Sequence, residues 1–151
     1  MILLDTSVLI DALTGPKRSA AALRKAIEAG ERLIVPALVL SEWLRGARLR
    51  QELAAQEALL PREAAVPFGP EEAAWAARLY RETPRARGRD IDLAIAASAL
   101  VHHARLWTLN VEDFKDIPGL EMSFPSDRQP SGAGPKRKRG GEVISPPRGP
   151  K

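Results

Sequence analysis

Apolar residues occur along this chain in short continuous runs separated by longer, mixed stretches. The first run, Ile2 to Leu4, has no polar interruption, which is typical of a strand buried on both faces of a parallel sheet. The segments LIVPA, AAVPF, RLWTLN and LEMSF predict four more strands, and the proline in AAVPF suggests a sheet edge or a strand end.

The stretches between these runs have helical spacing or helix-end signals. The segment KRSAAALRKAIEAG ends at Gly30, and PEEAAWAARLYRET begins with Pro70 and two glutamates. Helices are also predicted in ALVLSEWLRGARL, QELAAQEALL and the apolar part of RARGRDIDLAIAASALVHHA. Because strands alternate with helices, the pattern predicts an α/β domain with a mostly parallel sheet.

Length and composition narrow the class of protein. A chain of 151 residues suits one domain with a substantial core. It contains no cysteine, which excludes disulfides and thiolate metal sites. No apolar run approaches the roughly 20 residues that a membrane span requires, and the first residues lack the basic region and small-residue cleavage site that are typical of a signal peptide. We therefore expect a cytoplasmic protein with no membrane association.

The formal charge of +4 is unevenly distributed. Residues 125–151 carry seven Lys or Arg against two acids, a net of +5, and subtracting this from +4 leaves −1 for residues 1–124. That terminal segment also has six prolines and five glycines, which predicts a disordered basic tail after a folded domain at 1–124. Its PKRKR run is interpreted as a solvated extension, although such runs also bind nucleic acid.

Acidic or amide side chains stand at predicted strand ends and helix starts in four places. These are Asp5, Glu42, Asp92, and Asn110 with Asp113. Capping of the next helix is the simple alternative for Asp5. The carboxyl ends of parallel strands share one edge, so these groups can converge although they are far apart in sequence. Converging carboxylates repel each other unless a divalent cation such as Mg²⁺ or Mn²⁺ binds, and such a site suits phosphodiester hydrolysis.

Four motifs in order, DTSVLIDAL, SEWLRG, RDIDLAIAASAL and TLNVEDF, resemble the PIN-domain family and specifically its VapC-type ribonuclease toxins. The resemblance covers residues 1–124. It implies a three-layer α/β/α sandwich with a Mg²⁺ or Mn²⁺ site at the carboxyl edge of its sheet. It also implies RNA cleavage by a metal-activated water, a cognate antitoxin as protein partner, and a homodimer.

By position, Asp5, Glu42 and Asp92 match the first three acids of the family. Asn110 stands where many members have aspartate, and Asp113 is the nearest carboxylate. This departure implies one tight metal site, with any second ion bound mainly in the presence of RNA. Asp90 is interpreted as the cap of the helix that carries the third acid.

Other polar residues near these motifs have proposed roles. Thr6 and Thr108 resemble hydroxyl residues that bond a carboxylate or bound water in the family, although turn or cap bonds are an equal alternative. Arg87 and Arg89 are candidates for binding substrate phosphate, against ordinary solvation. The adjacent His102 and His103 point about 100° apart on a helix, so we interpret them as a helix end and not as a ligand pair.

Two surfaces follow from the resemblance. In this toxin class an antitoxin segment docks near basic positions that follow the second acid, here Arg45, Arg48 and Arg50. The homodimer interface would include Trp75, Leu79 and Tyr80, which are equally compatible with a place in the core.

Two other functions compete with the ribonuclease. A phosphatase of the haloacid dehalogenase type also has an aspartate after its first strand, but it needs a general acid two residues later, where this chain has Ser7. The other is a catalytically degenerate PIN fold that serves as a protein-binding module. Asn110 favours this module, whereas the trio of Asp5, Glu42 and Asp92 argues against it.

Overall fold

The computed structural model describes residues 1–123, which contain a four-stranded parallel sheet. The strands are β1 (Ile2–Leu4), β2 (Leu33–Ile34), β3 (Arg105–Trp107) and β4 (Met122–Ser123), in the order β2-β1-β3-β4. In the register of β1, Leu3 lies opposite Ile34 and Leu4 opposite Trp107. The side chains of β1 are almost completely buried, which confirms that its unbroken apolar run is a central strand.

Helices occupy most of the chain between the strands. In residues 1–123 they are α1 (Thr6–Leu13), α2 (Ala20–Glu28), α3 (Ala37–Arg45), α4 (Arg50–Leu59), α5 (Pro70–Glu82) and α6 (Asp90–Val101). The architecture confirms the predicted α/β/α sandwich. None of these helices is long and apolar enough to cross a membrane. The predicted tail at 125–151 lies outside the described residues.

Helix α6 is the most buried helix of the fold. Seven consecutive residues, Leu93 to Ala99, are buried, so this helix has no solvent-exposed face over that span. It packs against α5, α3 and β3, and its many alanines allow these neighbours to approach closely. The burial explains why its sequence is apolar without amphipathic periodicity. It also fixes the position of Asp92 near the start of the helix.

Two helix ends follow the expected chemistry. Helix α5 begins with Pro70, and the Glu72 side chain accepts a hydrogen bond of 2.9 Å from the backbone N–H of Gly69. After α2, Gly30 adopts a φ of +85°, a conformation that favours glycine and lets the chain turn toward β2.

The predicted strand in AAVPF is wrong. Of these residues only Val66 pairs with another segment, through a single parallel bridge to Pro36, which lies two residues after β2. The N–H of Val66 donates to Val35 O, and Val66 O accepts from the N–H of Ala37. The next residue, Pro67, has no N–H to donate, so the pairing does not continue.

The two edges of the sheet differ in chemistry. At the carboxyl edge the N–H of Asp5 donates to Trp107 O over 2.9 Å, which extends the pairing of β1 with β3. At the opposite edge Glu31 accepts from the N-terminal amine at 3.1 Å and from Arg105 at 2.6 Å. The acids of the predicted site therefore project from an edge where loops and helix starts meet.

Candidate metal centre

Asp5 directly follows β1 and is buried, with 4% of its surface exposed. It occupies the position before α1, but its side chain makes no capping hydrogen bond. Its Oδ2 atom instead accepts hydrogen bonds of 2.8 Å from Ser7 Oγ and 2.8 Å from Thr108 Oγ1. The capping interpretation of Asp5 is therefore wrong, since hydroxyl groups and not helix amides hold this carboxylate.

Glu42 lies on α3 and is half-buried. Its Oε1 atom accepts a hydrogen bond of 2.8 Å from Thr6 Oγ1, which ties the start of α1 to α3. Arg45, one turn later and exposed, has its Nη2 atom 3.6 Å from Glu42 Oε2. The hydroxyls of Thr6 and Thr108 therefore each bond a carboxylate, which is one of the two roles predicted for them.

Asp92, the third residue of α6, is half-buried and has its pKa raised from 3.8 to about 6. Burial is the largest cause, because desolvation disfavours the charged form. The negative charges of Asp113, Asp5 and Glu42 raise the pKa further, and the positive charge of Arg89 opposes them. The acids predicted from the sequence thus lie close enough to interact electrostatically around Asp92.

The fourth position involves a short 3₁₀ turn, Val111–Asp113, after β3. Asn110 precedes this turn and is exposed; its N–H donates to Thr108 Oγ1 at 3.0 Å, and its backbone O accepts from the N–H of Asp113. Asp113 is the residue whose charge acts most strongly on Asp92. The turn thus places a carboxylate near the other acids, although Asn110 itself carries no charge.

The donor set fits a hydrated divalent cation. In residues 1–123 no three His, Cys, Asp or Glu side chains are close enough to form a ready-made cage of protein ligands. The carboxylates nevertheless act on one another through their negative charges. Among the groups whose charges act on Asp92, only Arg89 is positive. Mg²⁺ and Mn²⁺ prefer oxygen ligands, and Mg²⁺ keeps several of its waters, so they need fewer direct protein contacts than a closed cage provides.

The guanidinium of Arg89 forms hydrogen bonds within the protein. It pairs with both carboxylate oxygens of Asp116, at 2.9 and 2.7 Å, and donates to the backbone O of Asp113 at 2.6 Å. The pairing raises the pKa of Arg89 and lowers that of Asp116, since each charge stabilises the other. Arg89 thus ties the start of α6 to the turn that carries Asp113, whereas Arg87 is exposed.

The interpretation of Asp90 as a helix cap is wrong. Arg89 occupies the capping position, and Asp90 is the exposed first residue of α6, with no side-chain capping bond at this helix end. At the other end, His102 follows the last helical residue, as predicted. Its Nε2 atom lies 3.4 Å from Oε1 of the buried Glu72 on α5.

Ser7 is a site residue that the sequence did not identify as such. Besides its bond to Asp5, its hydroxyl accepts a hydrogen bond of 3.0 Å from the N–H of Leu109. The only sequence signal is a hydroxyl residue two positions after a buried acid. A serine held in this way cannot supply the general acid that the phosphatase alternative needs at this position.

Residues 2–120 match the PIN domain family. Ribonuclease VapC19 from Mycobacterium tuberculosis is 36% identical over 131 residues, which cover 82% of this chain and 100% of the relative. Ribonuclease VapC1 from Rickettsia felis is 36% identical over 137 residues, which cover 84% of this chain and 98% of the relative.

Solved structures share the fold. VapBC2 from Rickettsia felis, bound to a DNA fragment from their promoter, matches with a TM-score of 0.67 at 22% identity over 82% of this chain and 98% of that one. A toxin–antitoxin complex from Klebsiella pneumoniae matches with a TM-score of 0.63 at 26% identity, over 83% and 98% of the two chains. With its sheet, its acidic edge and a match over most of its length, the chain belongs to the PIN-domain family.

Proposed function

We propose that this protein is a divalent-metal-dependent endoribonuclease and the toxin of a VapBC-type toxin–antitoxin pair. The observation that carries the proposal is the convergence of Asp5, Glu42 and Asp113 around Asp92 at the carboxyl edge of the sheet, where their negative charges add to the effect of burial and raise the pKa of Asp92. The 36% identity with proteins named ribonuclease VapC supports RNA as the substrate. The fold shared with a toxin–antitoxin complex supports the role as a toxin.

In this proposal Asp5 and Asp92 hold Mg²⁺ or Mn²⁺, and Glu42 with Asp113 or Asn110 completes the site. When bound, such a cation polarises the phosphoryl group, activates the attacking water and stabilises the leaving oxygen. The hydroxyls of Ser7 and Thr108 keep the Asp5 carboxylate in one orientation, and Thr6 does the same for Glu42. Because the pKa of Asp92 is about 6, its carboxylate is mostly charged at neutral pH and ready to bind a cation.

The reaction is hydrolysis of an RNA phosphodiester. Water attacks phosphorus in line with the 3′ oxygen, the bond from phosphorus to that oxygen breaks, and the products carry a 5′-phosphate and a 3′-hydroxyl. Since residues 1–124 have a net charge of −1, the substrate is bound by the metal and by local cations, not by the overall charge. Arg87 is the better candidate of the two predicted arginines, because Arg89 already bonds Asp116.

RNA cleavage with controlled metal content tests the proposal. Purified full-length protein is incubated with total cellular RNA in Mg²⁺ or Mn²⁺, in excess EDTA, and in EDTA followed by excess Mg²⁺. New 5′ ends are captured by direct ligation, which requires a 5′-phosphate. We expect cuts at a few sites that disappear in EDTA and return with Mg²⁺.

Two results would contradict the proposal in different ways. Cuts that persist in EDTA or that carry 5′-hydroxyl ends would come from another chemistry or from a contaminating nuclease. A folded protein that binds Mn²⁺ but cuts no RNA under any of these conditions would instead favour the protein-binding module.

The antitoxin partner is proposed to dock beside α3 and α4. Arg45 and Arg50 are exposed there, whereas the Arg48 guanidinium stacks 4.3 Å from the centre of the Trp43 ring. Residues of the same two helices help to line a small hollow of about 100 Å³, whose mainly apolar lining includes Leu9, Leu40, Leu59 and Leu60. Helices that line an apolar hollow and also carry exposed cations suit an amphipathic segment with acidic residues.

The protein is proposed to form a homodimer through the α5–α6 face. Leu79 belongs to the core, but Tyr80 is 45% exposed, beside a groove of about 610 Å³ that Ile91 also lines. We expect Tyr80→Glu to convert a dimer into a monomer of 16.4 kDa, measured by light scattering after size-exclusion chromatography. The matched control is Leu53→Glu on α4, where Leu53 is 37% exposed. This control variant should have the same mass in solution as wild type. A monomeric wild-type protein would rule out the dimer.

A further inference from the structure

Two hydroxyl groups connect the first acid of the site to the loop that leads to the fourth. Ser7 Oγ and Thr108 Oγ1 both donate to Oδ2 of Asp5 at 2.8 Å. Ser7 Oγ accepts from the N–H of Leu109, and Thr108 Oγ1 accepts from the N–H of Asn110, each at 3.0 Å. We call these two side chains, with the two backbone N–H groups, the hydroxyl relay.

The direction of every bond in the hydroxyl relay is fixed. A serine or threonine hydroxyl has one proton, and here each proton is given to Asp5, so the backbone N–H groups act as donors to the hydroxyl oxygens. The two hydroxyl oxygens are 3.4 Å apart but have no further proton to share. Donation from an N–H strengthens a hydroxyl as a donor, because successive hydrogen bonds polarise each other.

The relay acts on only one oxygen of Asp5. Within residues 1–123 both side-chain hydrogen bonds to this carboxylate reach Oδ2, which leaves Oδ1 as the oxygen available to a cation. Asp5 and Thr108 are almost completely buried, so water does not readily replace a lost hydroxyl. The same bonds fix the backbone of Leu109 and Asn110, and the turn with Asp113 begins directly after them.

We propose that Ser7 is a positioning residue of the metal site, acting through Asp5 and through the loop that leads to Asp113. The inference rests on the proposed function, because it assigns Ser7 a role in divalent-cation binding. Ser7 is the second residue of α1, so its hydroxyl couples the start of this helix to the loop after β3 across a separation of about one hundred residues in sequence. Without this hydroxyl the Asp5 carboxylate loses one of its two side-chain donors and the Leu109 N–H loses its acceptor.

Direct titration with Mn²⁺ tests this role. The electron paramagnetic resonance signal of free Mn²⁺ gives the affinity, and the melting temperature in EDTA reports folding separately. We expect Ser7→Ala to weaken Mn²⁺ binding about tenfold, as is typical when a group that orients a metal ligand is removed. Ser7→Thr keeps the hydroxyl and should remain within about threefold of wild type, a difference smaller than the loss expected for such a group.

Ser19→Ala is the matched control. Ser19 is buried and donates to Asp11 on α1 over 2.5 Å, which is the same kind of bond outside the acidic site. This variant should lower the melting temperature without changing the affinity for Mn²⁺. Thr108→Val provides a second test of the relay if Ser7→Ala does not fold, and it should weaken Mn²⁺ binding in the same way.

The outcomes separate this inference from the function on which it rests. If wild type neither binds Mn²⁺ nor cuts RNA, the proposed function fails. If wild type binds and cuts, but Ser7→Ala or Thr108→Val binds Mn²⁺ as wild type does, the positioning role of the relay is overturned. Equal weakening in Ser7→Ala and Ser19→Ala would also overturn it, since the effect would then be one of general stability.

Discussion

Replacing Asp5 with asparagine is expected to lower the rate of RNA cleavage by about a thousandfold or more, because loss of a metal ligand exceeds the 10–100-fold cost of losing its supporting residues. The hydrogen bonds make this loss specific. Ser7 and Thr108 both donate to one oxygen of Asp5, so an asparagine would turn its carbonyl oxygen toward them. Its NH₂ group would then occupy the place of Oδ1 and repel a cation.

Asp90→Asn is the matched control, since it is the same chemical change at an exposed position of α6 that makes no capping bond. Cleavage is measured as initial rate at saturating Mg²⁺, and folding as melting temperature in EDTA. Asp90→Asn should retain cleavage within about twofold, as expected for a surface change of about 0.5 kcal/mol or less. A folded Asp5→Asn protein that cuts RNA at the wild-type rate would remove Asp5 from the mechanism.

Much of the fold could be predicted from local patterns. The unbroken apolar run before Asp5 predicts a buried strand that ends at an acid, and the structure has this arrangement. The position of Asp92 near the start of an apolar helix was likewise visible, because the change from charged to apolar residues marks that boundary. The strand in AAVPF was wrongly predicted, because its proline was interpreted as the edge or end of a strand, whereas the pairing is limited to a single bridge between Val66 and Pro36.

The details of the site depend on contacts between distant parts of the chain. Ser7 bonds Leu109, and Arg89 pairs with Asp116, so neither partnership has a local sequence signature. Arg89 therefore looked like a phosphate-binding arginine, although in the fold it clamps a turn. Asp90 looked like a cap because aspartate favours that position, but the helix begins one residue earlier than a cap at Asp90 requires.

Asp92→Asn should affect stability and activity in opposite directions. Its carboxyl has a pKa of about 6 in the folded chain and 3.8 as the ordinary value, so the folded state binds the proton more tightly. The free energy of unfolding therefore falls as pH rises from about 4 to about 6, and is constant above that range. Removing the charge should recover this loss at pH 7.5 while it abolishes metal-dependent cleavage.

A shift of about two pKa units corresponds to about 3 kcal/mol in the free energy of unfolding. Solvent screens the half-buried carboxylate, and its position in the first turn of α6 is favourable for a negative charge, so we expect a loss of about 1 kcal/mol. In EDTA at pH 7.5 we expect the melting temperature of Asp92→Asn to exceed that of wild type by about 3 °C. At pH 4 the difference should vanish, because the wild-type carboxyl is then mostly protonated in the folded state.

Mn²⁺ should reverse the order of the two proteins at pH 7.5. A ligand that binds only the folded state raises its stability by about 2.7 kcal/mol at a hundred times its dissociation constant, which exceeds the gain from removing the charge. Wild type should therefore melt above Asp92→Asn in saturating Mn²⁺ and below it in EDTA. Asp92→Asn could instead melt below wild type in EDTA as well. The carboxylate would then stabilise the metal-free fold as a charge at the helix start, which would contradict the view that the acids repel each other until a cation binds.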